Sequence, residues 1–334
     1  MRPDISIVIQ TYNHAPFIRE CLQSVVDQET DYRIEILVGE DGSTDGTAKI
    51  VDDFACLHPD IVRVFHRDRG DVIYAMGRPT GRSNLLKTIA AASGRYLAIL
   101  DGDDFYTDPR KLELQGRMLD ADPTLSACCH ALLSVDEAGN VKGSEWTRPT
   151  LPMEYAIDIA AGRHSHVATF LSRNNFGVVP HWFRELPYAD WPLLVLRAGT
   201  GRIGYLAGTF TAYRVHPGGM YSGATRIRRV EASRRTAAVF RRNWPDKAVA
   251  QAAVDREFRA LLRLAPRRRA AGQHRASQMA LARAWAIIKA NEHRPSGKQW
   301  VRFLAEGAKQ RFWYGPFPTA QSHKQKNFRC EDRS

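Results

Sequence analysis

Short apolar segments alternate with amphipathic segments through the first hundred residues of the chain. The apolar segments are rich in Ile, Val and Leu and lie at residues 5–9, 34–38, 62–65 and 96–100. Such runs are typical of strands buried on both faces, and the intervening segment 16–26 places its apolar residues on one helical face. The alternation predicts an α/β fold with an open, mostly parallel sheet flanked by helices.

Polar loops follow three of these strands, at residues 11–14, 40–45 and 101–104. In parallel sheets, ligands bind beyond the carboxyl ends of the strands. We therefore expect the three loops to converge on one crevice.

The pattern changes in the second half of the chain. From Arg226 onward the sequence is rich in Ala, Leu and Arg, which predicts helices that Pro245, Pro266 and Pro295 interrupt. The middle of the chain is less regular. Further strands are predicted at residues 126–135, 167–171 and 209–215, and a further helix at 191–198.

Charge also divides the chain, and we place a domain boundary near Gly223. Residues 1–223 form the predicted α/β domain, and residues 224–334 form a basic helical region. The formal net charge is +12, yet residues 1–225 carry 22 Lys and Arg against 28 Asp and Glu, a net charge of −6. Residues 226–334 carry 26 against 8, a net charge of +18. Such a segment suits an anionic partner, either a phospholipid surface or nucleic acid, or it is a solvated helical face.

Cellular location is predicted from what the amino terminus and the cysteines lack. The chain enters its first strand without an export signal, and no run approaches the ~18 apolar residues of a membrane-spanning helix. The cysteines show no metal or disulfide spacing, and Cys128 and Cys129 should point to opposite faces of a strand. We expect a cytoplasmic protein that meets the inner membrane face peripherally. The aromatic residues suited to interfacial contact are Trp300, Phe303, Phe312, Trp313, Tyr314 and Phe317.

The segment Asp101-Gly102-Asp103-Asp104 places three carboxylates at the end of an apolar strand, with a glycine that permits close approach. Mg²⁺ and Mn²⁺ prefer carboxylate and phosphate oxygens, so this loop predicts a divalent metal cofactor that bridges the protein to a diphosphate. An acidic surface turn is the alternative, because Asp-Gly is a common turn dipeptide.

A second acidic loop runs from Glu40 to Thr47. Its carboxylates would repel a diphosphate, but one of them can accept the N3 hydrogen of uracil or bind a ribose hydroxyl. The simpler alternative is that Thr44 or Asp45 only caps the following helix.

Taken together, three segments of the chain resemble the family 2 glycosyltransferases of GT-A fold. They are residues 7–13 (IVIQTYN), 38–47 (VGEDGSTDGT) and 100–104 (LDGDD), in the family's order and at its separations. Residues 190–193 and 213–216 are similar to later, acceptor-side segments, so the resemblance covers roughly residues 3–220. It implies an inverting transfer from a nucleotide sugar to an acceptor hydroxyl.

The resemblance also implies roles for individual residues on the donor side. Thr11, Tyr12 and Asn13 would line the nucleoside pocket, and Asp41 would hold the base. Two further residues, Arg82 and Asn84, match a basic and amide pair near the nucleotide.

The remaining implied roles concern the metal and the chemistry. Asp101 and Asp103 would form the DxD metal motif, with Asp101 also near the nucleotide, and His216 would be a further metal or diphosphate contact. Asp190 matches the catalytic base, which would take the proton of the attacking hydroxyl. The simpler alternatives are that Asp190 caps the helix at Trp191 and that His216 ends a strand.

Two departures from the family pattern narrow the prediction. Glu40-Asp41-Gly42 stands where the family has Asp-Asp-Gly, and Ala189-Asp190 where it has Glu-Asp. Because the Gln-x-x-Arg-Trp motif of the processive synthases is absent, the sequence favours single addition. We expect a UDP-sugar donor and a carbohydrate or lipid-linked acceptor, in bacterial surface polysaccharide, lipopolysaccharide or glycolipid synthesis.

Three alternatives of other classes remain. A nucleotidyltransferase would use a similar metal site, but the loop Thr11-Tyr12-Asn13-His14-Ala15 has neither the glycines nor the basic residue of its phosphate loop. A sugar-nucleotide-binding relative without catalysis would keep the same pocket. A nucleic-acid-binding protein would explain the basic clusters, although no helix-turn-helix or zinc-finger signature accompanies them.

Overall fold

A computed structural model describes residues 2–143, 155–162, 166–175, 177–219, 223–290 and 292–310. The chain forms two compact units, one that runs to Ala260 and one that begins at Leu261. The first unit contains the sheet and the candidate site.

Eleven strands are present in the described residues. They are β1 (Ile5–Thr11), β2 (Ile34–Glu40), β3 (Val62–His66), β4 (Ile73–Ala75), β5 (Arg78–Thr80), β6 (Tyr96–Asp101), β7 (Phe105–Tyr106), β8 (Leu125–Val135), β9 (Val141–Gly143), β10 (Leu171–Arg173) and β11 (Arg202–Arg214). Strands β4 and β5 form a separate hairpin. The others form one sheet of order β3-β2-β1-β6-β10-β8-β11-β7, with β9 on β8.

Ten α-helices accompany these strands in the described part of the chain. They are α1 (Ile18–Val26), α2 (Thr47–Leu57), α3 (Arg82–Ile89), α4 (Lys111–Ala121), α5 (Ala156–Ala160), α6 (Asp190–Ala198), α7 (Arg226–Asn243), α8 (Lys247–Ala270), α9 (His274–Lys289) and α10 (Gly297–Lys309).

The amino-terminal half of the sheet is parallel, as predicted. Strand β1 pairs in parallel with β2 and β6, and β2 pairs in parallel with β3. Strand β10 is antiparallel to β6 and β8, whereas β8 and β11 are parallel. The mixed sheet with helices on both faces confirms the predicted α/β class.

Each face of the sheet carries its own apolar core. Cys128 lies in the core that contains residues of α1 and α2, and Cys129 lies in the core that contains residues of α3 and α6. The two neighbouring side chains therefore point to opposite faces, as the period of a strand requires.

The predicted strand at residues 167–171 is wrong in its first part. Val167–Thr169 is a single 3₁₀ turn, and the strand β10 begins only at Leu171. The cause is local, because the His166 ring Nδ1 accepts a hydrogen bond from the Ala168 amide at 3.3 Å and the His166 carbonyl accepts one from the Thr169 amide. Such side-chain bonds to nearby backbone compete with strand pairing.

The predicted helix break at Pro266 is also wrong, since Pro266 lies inside α8. A proline in a helix interior costs about 3 kcal/mol because it removes a hydrogen bond and crowds the preceding turn. Leu262, Leu264 and Ala265 beside it are buried, and this packing offsets the cost.

The first unit extends beyond the boundary that the sequence suggested. Helix α7 packs into its core, where the Phe240 ring lies 4.7 Å from the Trp191 ring and 4.8 Å from the Trp244 ring. The division of function after residue 223 stays a prediction. Among the described residues, no helix has the length and apolarity that a bilayer crossing requires.

A buried lysine lies in the interior of the first unit. Lys111 Nζ donates a hydrogen bond to Gln115 Oε1 at 2.9 Å and lies 4.1 Å from the centroid of the Tyr106 ring. Burial, together with repulsion from Arg197, lowers the pKa of Lys111 to about 7. In the folded protein this lysine is therefore only about half protonated at pH 7, and it loses its charge as the pH rises further.

We expect the free energy of unfolding to rise with pH from about 7 to 9, by up to roughly 1.4 kcal/mol per unit from this group. The unfolded chain keeps the Lys111 proton in that range while the folded chain has lost it. Urea unfolding of Lys111→Met should lack this slope, and the exposed control Lys142→Met should retain it. A slope in Lys111→Met equal to that of the unchanged protein would show that Lys111 keeps its charge when folded.

Candidate active site

A cleft of about 290 Å³ opens at the carboxyl edge of β1, β2 and β6. The three polar loops converge there, as their positions after the strands predicted. Eight of the ten predicted site residues line it: Thr11, Tyr12, Asp41, Arg82, Asn84, Asp101, Asp103 and Asp190.

Asn13 and His216 are not among the lining residues. Asn13 joins two loops instead, because its amide donates to Ser43 Oγ at 2.9 Å and its Oδ1 accepts from the Thr44 amide at 2.8 Å. His216 contacts the acidic loop instead, because its Nε2 lies 2.9 Å from Asp103 Oδ2.

The acidic loop gathers three carboxylates at one point. Ligand oxygens of Asp101, Asp103 and Asp104 lie within 4.8 Å of one another. Glycine is needed at residue 102, because a Cβ there would lie 2.8 Å from Thr11 Oγ1. One oxygen of Asp104, Oδ2, is buried and has no hydrogen-bond partner in the described chain. A hard divalent cation fits such a set of oxygens.

The negative charges of these three carboxylates repel one another. Burial and the charge of Asp103 raise the pKa of Asp101 to about 7, and burial with the same charge raises the pKa of Asp104. The pKa of Asp103 behaves differently. Burial acts to raise this pKa, but the hydrogen bond to His216 and the nearby His14 hold it below its ordinary value. A cation bound here would relieve the repulsion between the carboxylates.

Arg214 supports the acidic loop from behind, a role that the sequence did not reveal. Its amide donates to Asp104 Oδ1 at 2.9 Å, and its Nε donates to the Asp103 carbonyl at 3.0 Å. The guanidinium carbon lies 4.9 Å from the centroid of the Phe17 ring and 5.1 Å from that of Phe105, and the group pairs with Glu20 at 2.5 Å. The carboxylates are thus held in place by a residue from β11.

At another part of the cleft, Tyr12, Arg69 and Asp41 form a stacked group. The Arg69 guanidinium lies 3.9 Å from the centroid of the Tyr12 ring, and its Nη1 donates to Asp41 Oδ2 at 2.6 Å. Burial raises the pKa of Asp41, and Arg69 opposes that rise. The group offers an aromatic face, a hydrogen-bond acceptor and a cation, which suit a planar base.

Arg82 and Asn84 line the cleft but donate to backbone carbonyls. Arg82 donates to Arg184 O at 3.2 Å and to Pro187 O at 3.3 Å. Asn84 Nδ2 donates to Gly39 O at 2.7 Å. The structure thus shows Arg82 holding the loop that leads to Asp190.

Asp190 is the first residue of α6, and it is exposed at the cleft. No side-chain bond caps this helix, so the alternative of a capping aspartate finds no support. His166 also lines the cleft, and the sequence analysis did not identify it. Burial lowers the pKa of His166, and the negative charges of Asp190 and Asp103 oppose that decrease. The carboxylate therefore faces the same space as the acidic loop.

Comparison with known proteins places these features in context. The family model described as glycosyl transferase family 2 matches residues 6–175, about half of the chain. Uncharacterized protein Rv1520 of Mycobacterium tuberculosis is 30% identical over 228 residues, 67% of this chain and 62% of that protein. The chain thus spans less than two thirds of this relative's length.

Two solved structures have a similar fold. Staphylococcus aureus TarS 1–349 in complex with UDP-GlcNAc is 15% identical, with a TM-score of 0.57, and 93% of each chain is covered. The mannosyltransferase PcManGT from Pyrobaculum calidifontis, in complex with GDP-Man and Mn²⁺, is 20% identical, with a TM-score of 0.53 and coverage of 94% of this chain and 81% of that one.

Proposed function

The chain belongs to glycosyl transferase family 2, and from this premise we propose that it transfers a sugar from a nucleotide diphosphate to an acceptor hydroxyl with inversion. The observation that carries the proposal is that one cleft brings three features together. A base-sized stacked group, an acidic cluster and an exposed carboxylate all line it.

For the donor we propose a UDP-sugar, with the hexosyl group in the middle of the cleft. Asp41 would accept the N3 hydrogen of uracil while Tyr12 and Arg69 contact the base, and Thr11 would line the nucleoside pocket. Asn84 would line the pocket near the nucleotide. Asn13 would act by joining the two loops. The UDP-GlcNAc complex of TarS supports a donor of this class, and the GDP-Man complex of PcManGT shows that the base can vary on this fold.

For the metal we propose Mn²⁺ or Mg²⁺ held by Asp101 and Asp103, with Asp104 beside them. When bound, such a cation stabilises the negative charge that builds on the departing diphosphate. Arg214 fixes the loop, and His216 orients the Asp103 carboxylate through their hydrogen bond. Direct contact of His216 with the metal or the diphosphate stays a prediction. The Mn²⁺ in the PcManGT complex supports the choice of metal.

For the base we propose Asp190. It would take the proton of the acceptor hydroxyl as that oxygen attacks the anomeric carbon on the face opposite the diphosphate. Arg82 would position this carboxylate through the loop that it holds.

For the acceptor and pathway we propose single addition to a carbohydrate or lipid-linked acceptor in bacterial surface polysaccharide, lipopolysaccharide or glycolipid synthesis. The protein would work in the cytoplasm, peripherally on the inner face of the membrane. The basic carboxyl-terminal region supports that place.

A thermal-shift screen of UDP- and GDP-sugars with and without Mn²⁺ tests the proposal. A donor at 100 times its dissociation constant should stabilise the protein by roughly 2.7 kcal/mol, and only with the metal present. Donor hydrolysis in Mn²⁺ separates the enzyme from a binding relative without catalysis. If no nucleotide sugar stabilises the chain, the proposed donor class is wrong.

A further inference from the structure

The second unit is strongly basic on its own. Residues 261–310 contain 11 Lys and Arg but only two acids, Glu292 and Glu306. Glu306 is buried and accepts a hydrogen bond from Arg269 at 2.8 Å. Little negative charge therefore remains on the surface of residues 261–310 to balance their cations.

Helix α10 concentrates this charge beside exposed apolar side chains. At 100° per residue, its solvent-facing arc places Lys298, Arg302 and Lys309 in one strip. Val301 and Leu304, exposed by 69% and 37%, lie in the adjacent strip with Ala305 and Ala308. Cations and aliphatic groups thus share one surface, which contains no acid.

The opposite side of α10 is already used by the fold. Phe303 is fully buried, and its ring stacks on that of Trp285 at 6.1 Å. Ser296 and Gln299 form a capping box that begins the helix. The prediction that Phe303 contacts a membrane is therefore wrong, and Phe312, Trp313, Tyr314 and Phe317 lie outside the described residues. Val301 and Leu304 remain exposed on the other side of the helix.

We propose that the outer face of α10 lies in the headgroup region of an anionic phospholipid bilayer. Lys298, Arg302 and Lys309 bind lipid phosphates, and Val301 and Leu304 enter the boundary of the acyl chains. A helix with this combination binds interfaces through buried apolar area and electrostatic attraction together. Membrane binding by α10 does not depend on the proposed function. Only its purpose does, which is to bring the enzyme to lipid-linked acceptors.

The apolar strip favours a lipid surface over nucleic acid as the partner. Nucleic acid would attract the cations through its phosphates, yet it would leave Val301 and Leu304 in water. A bilayer can bind the cations through its phosphates and bury the apolar side chains in the adjacent hydrocarbon.

Sedimentation of the full chain with vesicles tests the proposal. The protein should bind vesicles of phosphatidylglycerol and phosphatidylcholine and ignore pure phosphatidylcholine. Lys298→Gln with Arg302→Gln should weaken binding by roughly 25-fold, about fivefold per cation, and this difference should shrink with salt. Val301→Ser with Leu304→Ser should weaken it by roughly tenfold, with little change in salt dependence.

Matched controls come from the first unit. Val178, exposed by 92%, and the exposed Lys142 are changed to Ser and Gln, and neither change should alter vesicle binding. Circular dichroism of each variant checks that α10 still forms. Equal loss in the controls, no binding to anionic vesicles at low salt, or binding to RNA in place of vesicles would each overturn the proposal. Vesicle binding needs no sugar transfer, so failure of the donor screen leaves this result intact.

Discussion

Replacing Asp103 by Ala should abolish the metal dependence of donor binding while the protein stays folded. Asp103 is the carboxylate of the acidic loop whose pKa is lowered, so it carries a full negative charge at neutral pH. If Asp103 is a metal ligand as we propose, its loss removes one oxygen ligand from a site that needs several, and we expect Mn²⁺ affinity to fall by at least about 100-fold. Calorimetric titration with Mn²⁺ and the donor screen measure both effects.

The fold should tolerate this change because the carboxylates repel one another. Burial is the first cause of the raised pKa values of Asp101 and Asp104 and would remain, but the repulsion from Asp103 would be removed, so both pKa values should fall. Asp103→Asn keeps the size of the side chain and should lose the metal equally. Asp60→Asn, at an exposed carboxylate outside the cleft, is the matched control. Unchanged Mn²⁺ dependence in Asp103→Ala would remove Asp103 from the metal site.

The parallel core of the fold follows from local pattern. The apolar segments that begin at Ile5, Ile34 and Tyr96 pair in parallel side by side, and their polar continuations meet at one edge. Strand period alone assigns Cys128 and Cys129 to different cores. Such features are predictable because burial on two faces leaves few other arrangements for short apolar runs.

The supporting residues of the site could not be predicted in the same way. Arg69 reaches Asp41 from a loop in which its own φ is +62°, and Arg214 reaches Asp104 across 110 residues. No periodic pattern marks either of them, since only the packed sheet brings these side chains together. For Arg82 the sequence identified the residue but not its contacts. The family motif places Arg82 near the nucleotide, whereas its hydrogen bonds go to the loop before Asp190.

Replacing Asp190 by Asn should slow sugar transfer by roughly 10² to 10⁴, the usual contribution of a general base. The carboxylate is exposed at the cleft and does not cap its helix, so Asn should keep the local structure. In the proposed mechanism the donor and the metal bind on the other side of the reacting carbon, so their affinities should be unchanged. Steady-state kinetics should therefore show a loss in kcat with the donor KM retained.

The matched control for this prediction is Glu185→Gln, which changes the nearest carboxylate in sequence. Glu185 ends the 3₁₀ turn His181–Glu185, is exposed, and is not among the residues that line the cleft. A base must lie within hydrogen-bond reach of the proton it removes, so of these two carboxylates we expect Asp190, which lines the cleft, to serve. Near-normal transfer by Asp190→Asn together with loss in Glu185→Gln would reverse the assignment. The expected pair of results would identify the carboxylate that activates the acceptor, since the two variants remove charges five positions apart on the same segment.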